Sequence, residues 1–420
     1  MTTSNFIINR TDAYVVIPFF ATAAMFFLLG TVFLFFLGED ILSHHFHPKI
    51  ISTVHCLALG FGTMIIMGAI YQLLPVLGET KLYSPAMAFL SYIFLSIGTV
   101  LLLYSFWLFE LSSTIILGGS LICISTYLYF WNTFKTCANN SKQHIIHMFF
   151  ILSAFWLCFT CTFGLLLAIN LSYSFIPKNH LDLLKLHAHA GIVGWFLQLI
   201  TGTSAKLLPM FILGNSTKKY LLKISILSQN AGILLFVVFG YKQVTTWLML
   251  ICGLFILLGI ITWILYLYDC FKHRIRKKMD IPMWHSLWSM ISLLLACILL
   301  PWVVKYAHSQ WISLYGILLF FGWISSLILG MTFKTLPFIK WNMLFKKFEE
   351  QHQVTLAKDL YNNQLLYAQQ SLFILGITTI SLGVIFRNAL LIQVSNIIWL
   401  FVALVYSMNV GILIFAKRKS

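Results

Sequence analysis

The sequence predicts an all-α integral membrane protein in which twelve transmembrane helices form three pseudo-repeats of four. Hydrophobic residues make up 60% of the 420 positions and charged residues only 9%, a balance that suits a polytopic membrane protein and not a soluble domain. Apolar stretches of spanning length recur twelve times along the chain. A frame of glycines and prolines that occurs three times divides these twelve stretches into modules.

The predicted spans follow one another with short connections. The apolar runs lie near 14–37, 51–77, 85–109, 113–134, 146–171, 184–213, 220–240, 244–268, 283–304, 311–338, 364–386 and 390–416. Each run holds about 20 or more residues, enough to cross the hydrocarbon core as a helix. We therefore predict one polytopic membrane domain over 1–420, with four-helix modules at about 14–134, 146–268 and 283–416. The long polar connection over 339–363 is predicted to be a cytoplasmic loop.

Three segments share one frame, and they lie on the second, sixth and tenth predicted spans. From the first position of the frame, glycines follow 5 and 13 residues later, and a Leu-Pro pair closes the segment at positions 19 and 20. The members are His55, Gly60, Gly68 and Pro75, then His189, Gly194, Gly202 and Pro209, then Ile317, Gly322, Gly330 and Pro337. The chain has only nine prolines, so this agreement indicates an internal repeat. The glycines share one side of each helix and favour close helix packing there.

The basic residues lie in alternate loops and in both terminal segments, with the richest loop at 272–278. By the positive-inside rule both termini are cytoplasmic, and the chain is a multi-pass protein of the cell (inner) membrane. The formal net charge of +16 arises in these short loops. We therefore expect the lipid bilayer as a partner and no nucleic acid.

Histidines mark the predicted outer side of the membrane, whereas the acidic residues are predicted to lie in loops. The acids in question include Glu39, Asp40, Asp182 and Asp269. Neutral imidazole binds haem iron, copper and zinc, while an ion-coupled carrier usually needs an acid inside the membrane. The pattern favours a haem or metal site over ion-coupled transport. The chain has no Cys-x-x-Cys-His motif, which excludes covalent c-type haem.

The candidate cofactor ligands are His55, His187 and His189, and the candidate metal ligands are His55, His189 and His308. His187 and His189 are two residues apart and diverge by about 200° on a regular helix. They therefore cannot both bind one metal without unwinding. Either the two histidines have separate partners, or one is a ligand and the other is a supporting or interfacial residue. The alternative for each histidine is an interfacial side chain with an ordinary hydrogen bond.

Other residues have simpler explanations. Lys206 and Lys334 share a frame position near the cytoplasmic helix ends, where a lysine can extend to the headgroups or bind an anionic group such as a haem propionate. Cys158 and Cys161 are interpreted as buried apolar filling. His285 maps to the cytoplasmic side and is interpreted as unrelated to the other histidines.

The span plan resembles the catalytic subunit of haem–copper oxidases. The motif His-x4-Gly-Phe-x6-Gly-x6-Pro over 55–75 is still more similar to the NnrS family of haem- and copper-containing membrane proteins, and a literal His-Ala-His occurs at 187–189. The chain departs from the oxidases because 220–240 contains no histidine and the tenth span has none beyond His308. The resemblance therefore implies a haem held by His55 or His189, with copper as a further candidate, but not a complete oxygen-reducing centre.

Three functions remain open at the level of sequence. The first is a haem-binding membrane protein in nitric oxide or respiratory metabolism, with a respiratory electron carrier or oxidase subunits as partners. The second is a transporter or channel for a small anion or metal. The third is an accessory protein of a respiratory complex. Whether the protein is an enzyme is left open.

Overall fold

The computed structural model describes residue 11 and residues 13–78, 80–139, 145–243, 245–345 and 356–417. Within these ranges the chain is helical and contains no strand. Twelve of the helices there are long and apolar enough to cross a membrane. The predictions of an all-α fold, of twelve spans and of a multi-pass membrane protein are confirmed at this level.

The spanning helices are named here in chain order. They are α1 (Ala13–Leu42), α2 (Pro48–Leu77), α3 (Pro85–Leu108), α4 (Ser113–Ala138), α5 (Ile145–Tyr173), α6 (His180–Ile212), α7 (Tyr220–Lys242), α8 (Trp247–Lys272), α9 (Ile281–Tyr306), α10 (Ser309–Phe345), α11 (Asn363–Ile385) and α12 (Ala389–Phe415). Several begin at an Asn, Asp or Ser side chain that accepts a backbone hydrogen bond. Asn179 precedes α6, Asp280 precedes α9 and Asn388 precedes α12 in this way, as N-cap residues do.

The described chain forms two compact units. One comprises Leu74–Phe94 and Leu111–Met279, and the other comprises Thr11–Leu73, Leu95–Glu110 and Asp280–Ser420 to the extent that these ranges are described. We call them the α4–α8 unit and the α9–α12 unit. The α9–α12 unit also contains α1 and α2. Helix α1 contacts α12 of that unit. The boundary divides the first predicted module, and the module plan itself stays a prediction.

Each framed segment is a helix with a π-helical stretch of eight residues. The stretches are Cys56–Thr63 in α2, Ala190–Leu197 in α6 and Leu318–Ser325 in α10. Each begins one residue after the first position of the frame. Widened turns of this kind are rare and occur often at functional sites. All three framed segments therefore share a backbone feature that the sequence pattern did not predict.

The framed glycines allow a close approach of the preceding helix, as predicted. A Cβ atom added to Gly202 would lie 2.5 Å from Cβ of Phe149, and one added to Gly330 would lie 2.6 Å from Cβ of His285. In α2, a Cβ atom on Gly68 would lie 2.5 Å from Cβ of Phe19. Because these distances are far below contact, only glycine fits without a shift of the neighbouring helix.

One boundary prediction is wrong. The polar loop predicted over 339–363 begins later, because α10 continues to Phe345. Pro75, Pro209 and Pro337 lie inside helices, in agreement with the predicted spans that contain them. A proline removes one donor and strains the turn before it, but packing can hold the helix beyond it. Residues 346–355 of that loop and the termini at 1–10 and 418–420 lie outside the described residues.

Candidate functional site

His55 lies near the start of α2, one residue before its π-helical stretch. Its Nδ1 atom is 2.8 Å from the backbone carbonyl oxygen of Ile51, one turn earlier. Its ring packs against Phe106 with the centroids 5.0 Å apart. The side chain is half-buried, so the helix holds the imidazole in a fixed orientation.

His189 has the same surroundings in the α4–α8 unit. Its Nδ1 atom is 2.8 Å from the carbonyl oxygen of Lys185, and its ring lies 5.0 Å from that of Phe236. It too is half-buried and directly precedes a π-helical stretch. The two framed histidines therefore agree in backbone, hydrogen bond and aromatic neighbour.

The hydrogen bond fixes the tautomer of both imidazoles. A carbonyl oxygen only accepts, so Nδ1 must carry the proton and donate it. In the neutral ring, Nε2 is then the nitrogen with the lone pair. Metal-bound histidines are commonly arranged in this way, with the second nitrogen donating to a carbonyl group. His55 and His189 thus have the electronic form of a ligand.

His187 points elsewhere. Its Nδ1 atom is 3.1 Å from the carbonyl oxygen of Thr160 on α5, and a Cβ atom on Gly164 would lie 2.7 Å from its Cε1 atom. The structure therefore packs His187 on α5, while His189 contacts Phe236 of α7. This matches the divergence expected from their spacing of two residues.

His308 is an exposed residue just before α10. Its ring is parallel to that of Tyr306, with 6.4 Å between the centroids. Among the described residues, no group of three or more His, Cys, Asp or Glu side chains is arranged to hold a metal ion. The structure does not bring His308 into a cluster of ligands.

The two framed lysines differ. Lys334 forms an ion pair with Asp280, the N-cap residue of α9. Lys206 has an exposed side chain on α6. The shared position in the frame therefore does not give them a shared environment.

The predicted loop placement of the acids needs correction. Asp269 lies in the last turn of α8, where it is 6% exposed and bonds Ser216 and Lys218 at 2.6 Å and 2.8 Å. Asp182 lies in the first turn of α6, and Glu39 and Asp40 lie in a 3₁₀ turn that ends α1. These helices therefore extend past the apolar runs into polar turns. No acid lies in the middle of a described span.

A buried histidine that the sequence analysis set aside has polar partners in the structure. His285 on α9 is fully buried, and its ring contacts Ser326 of α10 and Gln369 of α11. It occupies the place that Phe149 has against Gly202 and Phe19 has against Gly68. The loops before the frame differ in length, so this correspondence is not visible in the sequence. Only the glycine contacts reveal it.

The corresponding part of the α4–α8 unit holds a paired polar network. The Nε1 atom of Trp156 donates to Oδ1 of Asn230 at 3.0 Å. The carboxamides of Asn230 and Gln198 exchange two hydrogen bonds of 3.1 Å and 3.2 Å. Gln198 has the frame position that Ser326 has in α10. Cys158, predicted as filling, is buried and donates to the carbonyl oxygen of Thr126 at 3.2 Å.

Comparison with known proteins gives no family assignment. No protein-family model matches the chain, and no curated protein matches it significantly.

Proposed function

We propose that the protein is a haem-binding integral membrane protein with His55 and His189 as ligands. One observation carries the proposal. The two histidines share a frame position, a hydrogen bond of 2.8 Å from Nδ1 to a carbonyl oxygen one turn earlier, and a phenylalanine ring at 5.0 Å. A local arrangement repeated this closely in two helices supports a shared role better than two unrelated interfacial histidines.

The donor chemistry fits haem. In each imidazole Nδ1 carries the proton, so Nε2 is the nitrogen whose lone pair would bind the iron. Each imidazole also lies beside an aromatic ring that suits a flat apolar macrocycle. Bound haem would supply one-electron or diatomic-gas chemistry in the membrane. His55 would hold it in the α9–α12 unit and His189 in the α4–α8 unit. Copper is a further candidate metal, and the role in nitric oxide or respiratory metabolism belongs to the same proposal.

The architecture that we propose is three pseudo-repeats of four helices on the plan of the haem–copper oxidase subunit. The matching π-helical stretches and the glycine contacts with the preceding helix support this plan. The third repeat then lacks the framed histidine, since Ile317 stands there. An absent third ligand agrees with two haem positions and no complete oxygen-reducing centre.

A visible absorption spectrum with metal analysis tests the proposal. Protein purified from haem-replete cells should show a Soret band, and His55→Ala and His189→Ala should each remove part of it. His308→Ala is the matched control, because that exposed side chain should leave the spectrum unchanged. A colourless wild-type preparation without iron would refute the proposal.

The transporter and accessory alternatives stay predictions. In the transporter hypothesis the glycine-lined helices move against each other, and Lys206 and Lys334 meet an anion. Substrate uptake in vesicles that survives His189→Ala but is lost in Lys206→Ala and Lys334→Ala would favour transport. Co-purification with an oxidase would favour the accessory role.

A further inference from the structure

A cluster of polar side chains lies inside the α9–α12 unit. His285 and Ser289 come from α9, Ser325 and Ser326 from α10, and Gln369 from α11. Each of them is at most 1% exposed. Imidazole, hydroxyl and carboxamide groups are costly to bury unless they are hydrogen-bonded. The cluster therefore needs partners.

Part of that need is met within the cluster. Ser326 Oγ donates to the carbonyl oxygen of His285 at 2.9 Å and lies 3.5 Å from its Nδ1 atom. Gln369 Nε2 is 3.3 Å from His285 Nε2 and 3.4 Å from the carbonyl oxygen of Leu329. Since the amide nitrogen only donates, His285 Nε2 accepts and Nδ1 carries the proton. The ring is thus neutral and held on both sides.

Three side-chain polar atoms of the cluster have no hydrogen-bond partner among the described protein atoms. They are Oε1 of Gln369, Oγ of Ser289 and Oγ of Ser325. Ser289 lies one turn from His285 on the same face of α9. On α9, Ser289 lies between His285, which packs against Gly330 of α10, and Ser292, which packs against Gly322 of α10. Since α9 and α10 run in opposite directions, this register places Ser289 opposite Ser325 and Ser326.

The charge of the cluster limits what it can hold. Neither a carboxylate nor a cationic side chain is among its five members, so it has no charge to balance a divalent cation or an anion. A neutral molecule that both donates and accepts hydrogen bonds fits the two hydroxyls and the carboxamide oxygen. Buried water usually makes about three such bonds to otherwise unpaired groups.

We propose that this cluster is an internal hydration site, which holds water against His285 within the membrane-spanning region. The ion pair of Asp280 and Lys334 gives it a polar entrance. Lys334 follows Gly330 by one turn on α10, and Asp280 precedes His285 on α9. From the helix ends inward, the charged pair of Asp280 and Lys334 is therefore followed by the imidazole of His285 and then by the hydroxyl group of Ser289.

The two repeats provide a matched experiment. Ser289 follows His285 by four residues, and Ser153 follows Phe149 by four. Both serines are 0% exposed, but Ser153 Oγ is satisfied by the carbonyl oxygen of Phe150 at 3.0 Å. Cysteine replaces either serine with little change in size. Thiols react with a small methanethiosulfonate reagent as thiolates, which need water to form.

In reconstituted full-length protein, the thiol of Ser289→Cys should react with the methanethiosulfonate reagent at least about ten-fold faster than the thiol of Ser153→Cys. Site-resolved mass spectrometry measures both rates. Ser325→Cys is the second reporter in case Ser289→Cys does not fold. The native thiol of Cys158, which is buried, calibrates the slow limit in every sample. Equal rates at positions 289, 325 and 153 would overturn the proposal.

Adding His285→Phe to Ser289→Cys tests the role of the imidazole. Phenylalanine is the residue that the other two repeats have at this packing position, so the helix contact with Gly330 should survive. We expect the reaction rate to fall toward that of Ser153→Cys. An unchanged rate in this folded double variant would show that the reagent reaches Ser289 without a hydration site at His285. The readout does not depend on haem, so it can fail or succeed independently of the proposed function.

Discussion

The framed segments of α6 and α10 share their packing but place histidine differently. Both have a π-helical stretch at the same position and both pack a glycine against the preceding helix. In α6 the histidine is the first framed residue, His189, directly before the π-helical stretch. In α10 that place holds Ile317, and the histidine is His285, buried on the preceding helix. The same glycine packing therefore occurs in both segments beside different polar side chains.

The polar groups beside the two segments also differ. Trp156, Asn230 and Gln198 satisfy one another with three hydrogen bonds. The cluster at His285 has three buried polar atoms without a hydrogen-bond partner among the residues that the structure describes. A self-contained network stabilises a helix interface, whereas unpaired groups in the interior need a ligand. This contrast is the basis of the first prediction.

Exchanging the packing residues should have unequal costs, and this is the largest expected effect. Phe149→His should lower the free energy of unfolding by about 3 kcal/mol, because it removes apolar packing and buries an imidazole beside the occupied Gln198 network. His285→Phe should lower it by less, about 1 to 2 kcal/mol, because the buried amide of Gln369 loses one acceptor but keeps the carbonyl oxygen of Leu329. Reversible unfolding in a detergent titration measures both. Equal costs would show that the two sites do not differ in polarity.

Replacement of a framed glycine should lower the free energy of unfolding by a similar amount in both segments. Gly202→Ala and Gly330→Ala should each destabilise by about 2 kcal/mol, because the new methyl group meets Phe149 or His285 within 2.6 Å. Gly316→Ala is the control, since a Cβ atom there has no neighbour within 4 Å. It should be neutral or slightly stabilising. If the free energy of unfolding of Gly330→Ala equals that of this control, Gly330 is not needed for the packing of α10 on α9.

The two framed lysines should contribute unequally to the free energy of unfolding. Lys334→Ala should cost about 1 kcal/mol, because the side chain is 13% exposed and its loss leaves Asp280 without this ion pair. Lys206→Ala removes an exposed side chain and should be close to neutral. Thermal unfolding of the two variants side by side measures the difference. A larger loss at Lys206 would point to a bound anionic group there.

The smallest effect should be at the ion pair of Lys218 and Asp269 in the α4–α8 unit. The hydrogen bond to the Asp269 carboxylate raises the pKa of Lys218 above its ordinary value. The pair therefore stabilises the fold below the usual lysine pKa and loses this contribution as pH rises through the raised one. Above about pH 10.4, the usual lysine pKa, the melting temperature of wild type should fall slightly more steeply than that of Asp269→Asn. Parallel curves would show that the exposed end of the pair contributes nothing.

The sequence predicted the number of spans, the glycine contacts and the divergence of His187 from His189, because these follow from hydropathy and from helix periodicity. It placed the end of α10 less well, since that helix continues to Phe345 and the predicted span ends near 338. It did not predict the polar contacts of His285. The partners of that side chain among the described residues, Ser326 of α10 and Gln369 of α11, lie 41 and 84 residues further along the chain.

The sequence by itself determined that this chain spans a membrane and repeats a helix-packing frame, because apolar length and glycine spacing are local properties. The tertiary structure decided which histidines share an environment. It showed that His55 and His189 have the same hydrogen bond and aromatic neighbour. It also placed His285, Ser326 and Gln369 together in one buried cluster. Hydrogen-bond partners depend on which helices meet and at what register, and no single span contains that information.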